Sequence, residues 1–181
     1  IAALAAALLA GPLGAAVVLT AVVTPAVAEQ QRLDCATTVA ASGPWRPPFQ
    51  QAYVRTSVFG MRFHPILAIE RLHAGGDVGA PSGTPIHAAA DGVVVVASER
   101  GGYGNTVVID HGDSLATLYA HQTALAVREG DVVERGDVIG WVGSTGLSTG
   151  PHLHLETRVK GMPINPEGII DFEAEVEYGR N

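Results

Sequence analysis

The chain has 181 residues, room for one domain of ordinary size with extra segments at its ends. Its formal charge of −7 and single lysine, Lys160, leave no basic stripe for a nucleic-acid backbone. A lone cysteine, Cys35, excludes an intramolecular disulfide and a cysteine-rich metal site, so any metal here must be held by histidines and carboxylates.

Residues 1–28 carry no charge and are mostly Ala, Leu and Val. Pro25 followed by Ala26-Val27-Ala28 matches the A-x-A end of a signal peptide. The length of the apolar run equally suits a membrane anchor, which needs about 20 residues. Both readings place the rest of the chain outside the cytoplasm. Because the run opens on Ile1, it is expected to be truncated at its start. Residues 29–52 lack sustained periodicity and contain the breakers Gly43-Pro44 and Pro47-Pro48, so a linker is expected there, holding Cys35. Trp45 and Phe49 are placed to pack back on the domain's edge.

The folded domain is expected over 53–171, without an amphipathic helix. Tyr53–Phe59 reads as a strand and Gly60–Pro65 as a turn. Short strands then follow at 77–78, 85–89, 92–98, 106–110, 115–121, 132–133, 138–142 and 152–159, separated by Gly, Pro, Asp and Asn. That spacing predicts an all-β class, a compact antiparallel sheet, sandwich or barrel. Pro163-Ile164-Asn165-Pro166 closes the domain, and 172–181, with Glu173, Glu175 and Glu177, reads as an acidic tail. Within the run, Glu129-Gly130-Asp131-Val132-Val133 is echoed by Arg135-Gly136-Asp137-Val138-Ile139. Biotin- and lipoate-carrying domains are similar here, but they need a lysine at a hairpin tip, where Lys160 does not lie.

The seven histidines concentrate the chemistry. His152-Leu153-His154-Leu155-Glu156 alternates polar and apolar residues, predicting a half-buried strand with both imidazoles and Glu156 on one face. His73-Ala74-Gly75-Gly76-Asp77 places an imidazole and a carboxylate four residues apart, where paired glycines argue for a loop over a helix. Leu118-Tyr119-Ala120-His121 ends a strand, with Tyr119 and His121 expected on one face. One carboxylate and two imidazoles make a three-ligand catalytic zinc site with an open position for water. Further histidines beside it would exchange protons near neutrality.

These segments together resemble the lysostaphin-type (LytM-type) zinc peptidases. The resemblance runs from about Gly60 to Pro166 and includes GMRFHPIL (60–67), HAGGD (73–77), GYGNTVVIDHG (102–112), TLYAH (117–121), EGDVVERGDVIGWVGSTG (129–146) and STGPHLH (148–154). It implies zinc ligands at His73, Asp77 and His154, with catalytic histidines at His121 and His152. It also implies an antiparallel β-sheet core with loops walling a groove, and as substrate the peptide of bacterial peptidoglycan. Ala68, His87 and Gln122-Thr123 depart from the usual pattern without touching those five residues. His64 is expected in the entry loop, His87 and His111 as structural or exposed residues, and Asn105 and Glu156 as supports behind the ligands. The expected protein is an exported bacterial zinc endopeptidase of the cell wall. The alternative is a non-catalytic wall-binding or activator module of the same fold.

Overall fold

The computed structural model describes residues 4–10, 16–22, 45–51, 53–170 and 172. Strands β1 (Leu4–Ala10) and β2 (Ala16–Val22) pair antiparallel, Leu4 opposite Val22, in a unit of their own within Ile1–Thr38. Among the described residues no helix is long and apolar enough to cross a membrane, which says nothing of crossing by strands. The A-x-A pattern at 26–28, Cys35 and the acidic tail beyond Phe172 lie outside the described residues.

The second unit is all-β. Its strands are β3 (Val54–Ser57), β4 (Gly60–Phe63), β5 (Glu70–His73), β6 (Gly76–Gly79), β7 (Pro85–His87), β8 (Gly92–Glu99) and β9 (Asn105–Asp110). There follow β10 (Leu115–Gln122), β11 (Ala124–Leu125), β12 (Val132–Val133), β13 (Val138–Trp141), β14 (His152–Val159) and β15 (Met162–Ile164). Only two 3-10 turns, Gly101–Tyr103 and Pro166–Gly168, interrupt them among the described residues. An antiparallel sheet runs β12-β8-β9-β10-β14-β6-β3, with β15 also on β14; β11-β13-β7 and β4-β5 form smaller sheets.

The expected turn at 60–65 is instead a hairpin strand. Gly60 pairs with His73 and Phe63 with Glu70, and the chain reverses at 64–69. Single polar–apolar alternation is weak there because both hairpin faces stay partly exposed. Strands β5, β11 and β15 were not expected either; each has at most four residues, too few to show a period.

Phe49, Ile86, Ile109, Tyr119, Ile139, Leu153 and Leu155 are fully buried in one core. Each large apolar side chain buried there contributes roughly 1.5–3 kcal/mol. Phe49 thus belongs to the centre rather than the edge, because the chain at 45–51 is laced onto the domain. Arg46 N–H donates to Ala89 O at 3.0 Å and His87 N–H to Pro48 O at 2.8 Å. Trp45 meets the His111 ring edge-on, with centroids 4.5 Å apart.

Candidate metal centre

Strand β14 lies inside the sheet, between β10 and β6, with Ala120 opposite His154 on one side and Asp77 opposite His154 on the other. That pairing brings Asp77 and His154 together from positions 77 residues apart. The half-buried reading of β14 needs correction: every residue from Leu153 to Thr157 is buried, because loops cover the polar face too. Its apolar face enters the core, and its polar face floors a groove of about 460 Å³.

His73 reaches this face from the end of β5. The connection to Asp77 runs so close to β14 that a Cβ at Gly75 would lie 2.2 Å from Leu155 O. Only glycine lets the His73–Asp77 segment approach the strand that carries His154.

His73 Nε2, Asp77 Oδ1 and His154 Nδ1 form a triangle with sides of 3.0, 2.8 and 3.0 Å. Their remaining polar atoms are engaged elsewhere. His73 Nδ1 lies 2.8 Å from Val58 O, an acceptor only, so that nitrogen carries the proton and Nε2 is left with its lone pair. His154 Nε2 donates to Glu156 Oε1 at 3.1 Å, which leaves Nδ1 with its lone pair. Arg62 holds the second oxygen of Asp77 at 3.2 Å. Three lone-pair atoms therefore converge on one point, somewhat closer together than the ~3.3 Å that tetrahedral bonds of roughly 2.0–2.1 Å would set. The cluster of His73, Asp77 and His154 is capable of coordinating a metal ion.

The electrostatics agree. Burial alone would raise the Asp77 pKa, but the close His154 and His73 rings outweigh it and hold the carboxylate well below its ordinary range. Burial lowers the pKa of His154, yet Asp77 and Glu156 on either side bring the net shift upward. Glu156 is fully buried; burial raises its pKa, but His154, Arg158 and Tyr103 together keep it low and ionised. Arg158 Nε donates to Glu156 Oε2 at 2.6 Å and Tyr103 O–H to Oε1 at 2.7 Å.

His121 enters by an irregularity that alternation cannot foresee. Tyr119 pairs with Leu155 and its ring lies in the core, so a regular β10 would turn His121 to the same side. Between Tyr119 and Gln122 the register with β9 slips by one residue, and His121 takes a left-handed backbone with φ of 61°. This bulge redirects His121 into the groove, against the expectation that it shares a face with Tyr119. The conformation costs a non-glycine residue about 1–2 kcal/mol. Gln122 ties the bulge, its side-chain amide donating to Tyr119 O at 3.0 Å. The His121 ring lies with its centroid 4.7 Å from that of His152 and 5.9 Å from that of His154. Its Nδ1–H donates to Thr145 O at 2.8 Å, leaving Nε2 as an acceptor. Burial, then the neighbouring His152 and His154, lower its pKa to about 4. His152 donates Nδ1–H to Gly150 O at 2.8 Å, and its Nε2 stands 3.8 Å from Asp77 Oδ1.

All five singled-out residues thus line one groove. Glu156 stands directly behind His154, whereas Asn105 donates to Gln122 O at 3.1 Å and steadies the bulge instead. His64 caps the hairpin reversal, accepting from Leu67 N–H at 3.2 Å, and lines the groove as well. His111 is buried between Asp91 O and Thr117 Oγ1, and His87 contacts Gly136 O at 2.7 Å, both structural. Ala68 occupies a left-handed position, φ 53°, which explains why glycine suits that place. Arg62, Tyr103 and Arg158 were not singled out from sequence; the quoted segments around Arg62 and Tyr103, and the alternation of 152–156 continued to Arg158, carried the signal.

Residues 71–166 match the model of Peptidase family M23. The chain belongs to that family. A curated relative, the DD-carboxypeptidase/endopeptidase Mpg of Neisseria meningitidis, is 54% identical over 114 residues, 63% of this chain and 26% of the relative. The chain therefore spans about a quarter of the length of such relatives. Among solved structures, a zinc-containing peptidase from Vibrio cholerae superposes with a TM-score of 0.64 at 36% identity, over 68% of this chain and 39% of that one. The catalytic domain of the antimicrobial peptidase lysostaphin from Staphylococcus simulans gives 0.59 at 31%, over 64% of this chain and 90% of that one.

Proposed function

We propose that this M23 domain is a zinc-dependent endopeptidase that hydrolyses amide bonds in peptidoglycan stem peptides or cross-bridges. The convergence of three lone-pair atoms from His73, Asp77 and His154, each backed by a partner that fixes its orientation, carries the reading. These three residues would hold one zinc ion. When bound, zinc supplies a Lewis acid for the scissile carbonyl and lowers the pKa of a water to about 7.

The chain's own residues do the rest. His121 stays neutral at physiological pH and offers Nε2 to a proton. His152, beside it, shares proton transfer and the stabilisation of developing charge. Thr145 O and Gly150 O orient the two rings. Residues 1–28 serve as an export signal or a membrane anchor and bring the domain to the wall.

Incubation of the zinc-loaded chain with defined wall peptides, read by mass spectrometry, is expected to show amide cleavage that a chelator abolishes and one equivalent of zinc restores. Full activity in a verified metal-free preparation would sink the reading. A zinc-loaded chain that binds purified wall without cleaving it would favour the non-catalytic activator module.

A further inference from the structure

The groove holds three arginines, Arg62, Arg71 and Arg100, against two carboxylates, Asp77 and Glu156. Both carboxylates are consumed within the site: Asp77 by two histidines and Arg62, Glu156 by His154, Tyr103 and Arg158. Arg71 and Arg100 make no side-chain ion pair or hydrogen bond among the described residues. Both residues are exposed and line the groove.

They come from opposite flanks. Arg71 pairs with Arg62 across the β4–β5 hairpin, beside the ligands His73 and Asp77. Arg100 follows β8 and precedes the Gly101–Tyr103 turn, on the side of Tyr103 and Glu156. Arg71 sits near enough to His64 to disfavour its protonation, although burial and Arg62 weigh more. A chain with formal charge −7 thus turns unneutralised positive charge into its own cleft. Guanidinium forks match carboxylates in planar, paired hydrogen bonds.

We propose that Arg71 and Arg100 form a carboxylate-binding subsite, so that the groove selects peptides carrying a free carboxylate near the scissile amide. The proposal rests on the peptidase reading of the same groove and specifies its substrate.

The test uses a synthetic peptide with two carboxylates, one at its C-terminus and one on a side chain flanking the amide. It is compared with forms in which either or both are carboxamides. Binding is measured by calorimetry on the zinc-loaded His121→Ala chain, which should leave the peptide intact, and hydrolysis on the unaltered chain. The doubly amidated peptide is expected to bind at least about tenfold more weakly, the scale of one charge-assisted hydrogen bond. The single amide that reproduces this loss identifies the carboxylate concerned. Added Arg71→Gln and Arg100→Gln should erase the difference between acid and amide. Equal affinities, no detectable binding of the acid form, or a preference that survives in the double variant would overturn the subsite. Acid-selective binding with no hydrolysis by the unaltered chain would instead sink the peptidase reading and leave the subsite standing. Hydrolysis of both forms without selectivity does the reverse.

Discussion

His154 stands between two carboxylates, with Asp77 at Nδ1 and Glu156 at Nε2, while His152, two residues earlier, touches neither so closely. The two halves of the H-x-H pair should therefore respond differently to substitution. Alanine at His73 or His154 is expected to lose zinc together with activity. Alanine at His121 or His152 should keep zinc while activity falls about 10²–10⁴-fold, the usual worth of general acid–base catalysis. Metal analysis beside peptide hydrolysis on the four variants checks this; zinc retained by His154→Ala but lost by His152→Ala would reverse the assignment. The pH profile separates the same residues. A base whose pKa is lowered to about 4, as at His121, keeps its lone pair down to that pH. His154 is shifted upward, so protons compete with a metal for its Nδ1 at higher pH. Activity lost on acidification should accordingly track zinc release above pH 4. A rate that falls while zinc stays bound would assign the acid limb to the catalytic pair instead.

The β5–β6 connection depends on a single missing side chain. Gly75→Ala would drive a Cβ into Leu155 O of β14, and neither backbone can yield without moving a ligand. We expect a loss of stability of about 3 kcal/mol. Zinc affinity should drop by more than the change in Tm alone implies, measurable by competition with a chromophoric chelator. The sequence announced these two strands well: the alternation at 152–156 placed His154 on one, and the short strand expected at 77–78 placed Asp77 on the other. It misled at His121, because a bulge breaks period 2 and nothing local marks the extra residue. It marked Arg62 only as part of a quoted segment, because its partner lies 15 residues away in β6, whereas Arg158, two residues from Glu156 on β14, continues the alternation beyond 156. The Arg62–Asp77 partnership is a tertiary fact, and residue spacing does not encode it.

At the scale of the whole molecule, the eight-stranded sheet and its core are held partly from outside the strand pattern. Phe49, fully buried, fills the centre from a segment that reads as linker. Phe49→Ala is expected to cost about 3–5 kcal/mol, seen as a lowered urea midpoint. A midpoint unchanged within error would show that the 45–51 segment is dispensable. His121 carries a different consequence, for anyone who would transplant this site. Its place in the groove comes from a strand one residue longer than its neighbour, with a left-handed turn where the excess is absorbed. Copying five side chains onto an even sheet would bury that imidazole among aliphatic residues. A designer must copy an insertion, and a mutational path that changes identities but never length has no way to arrive at it.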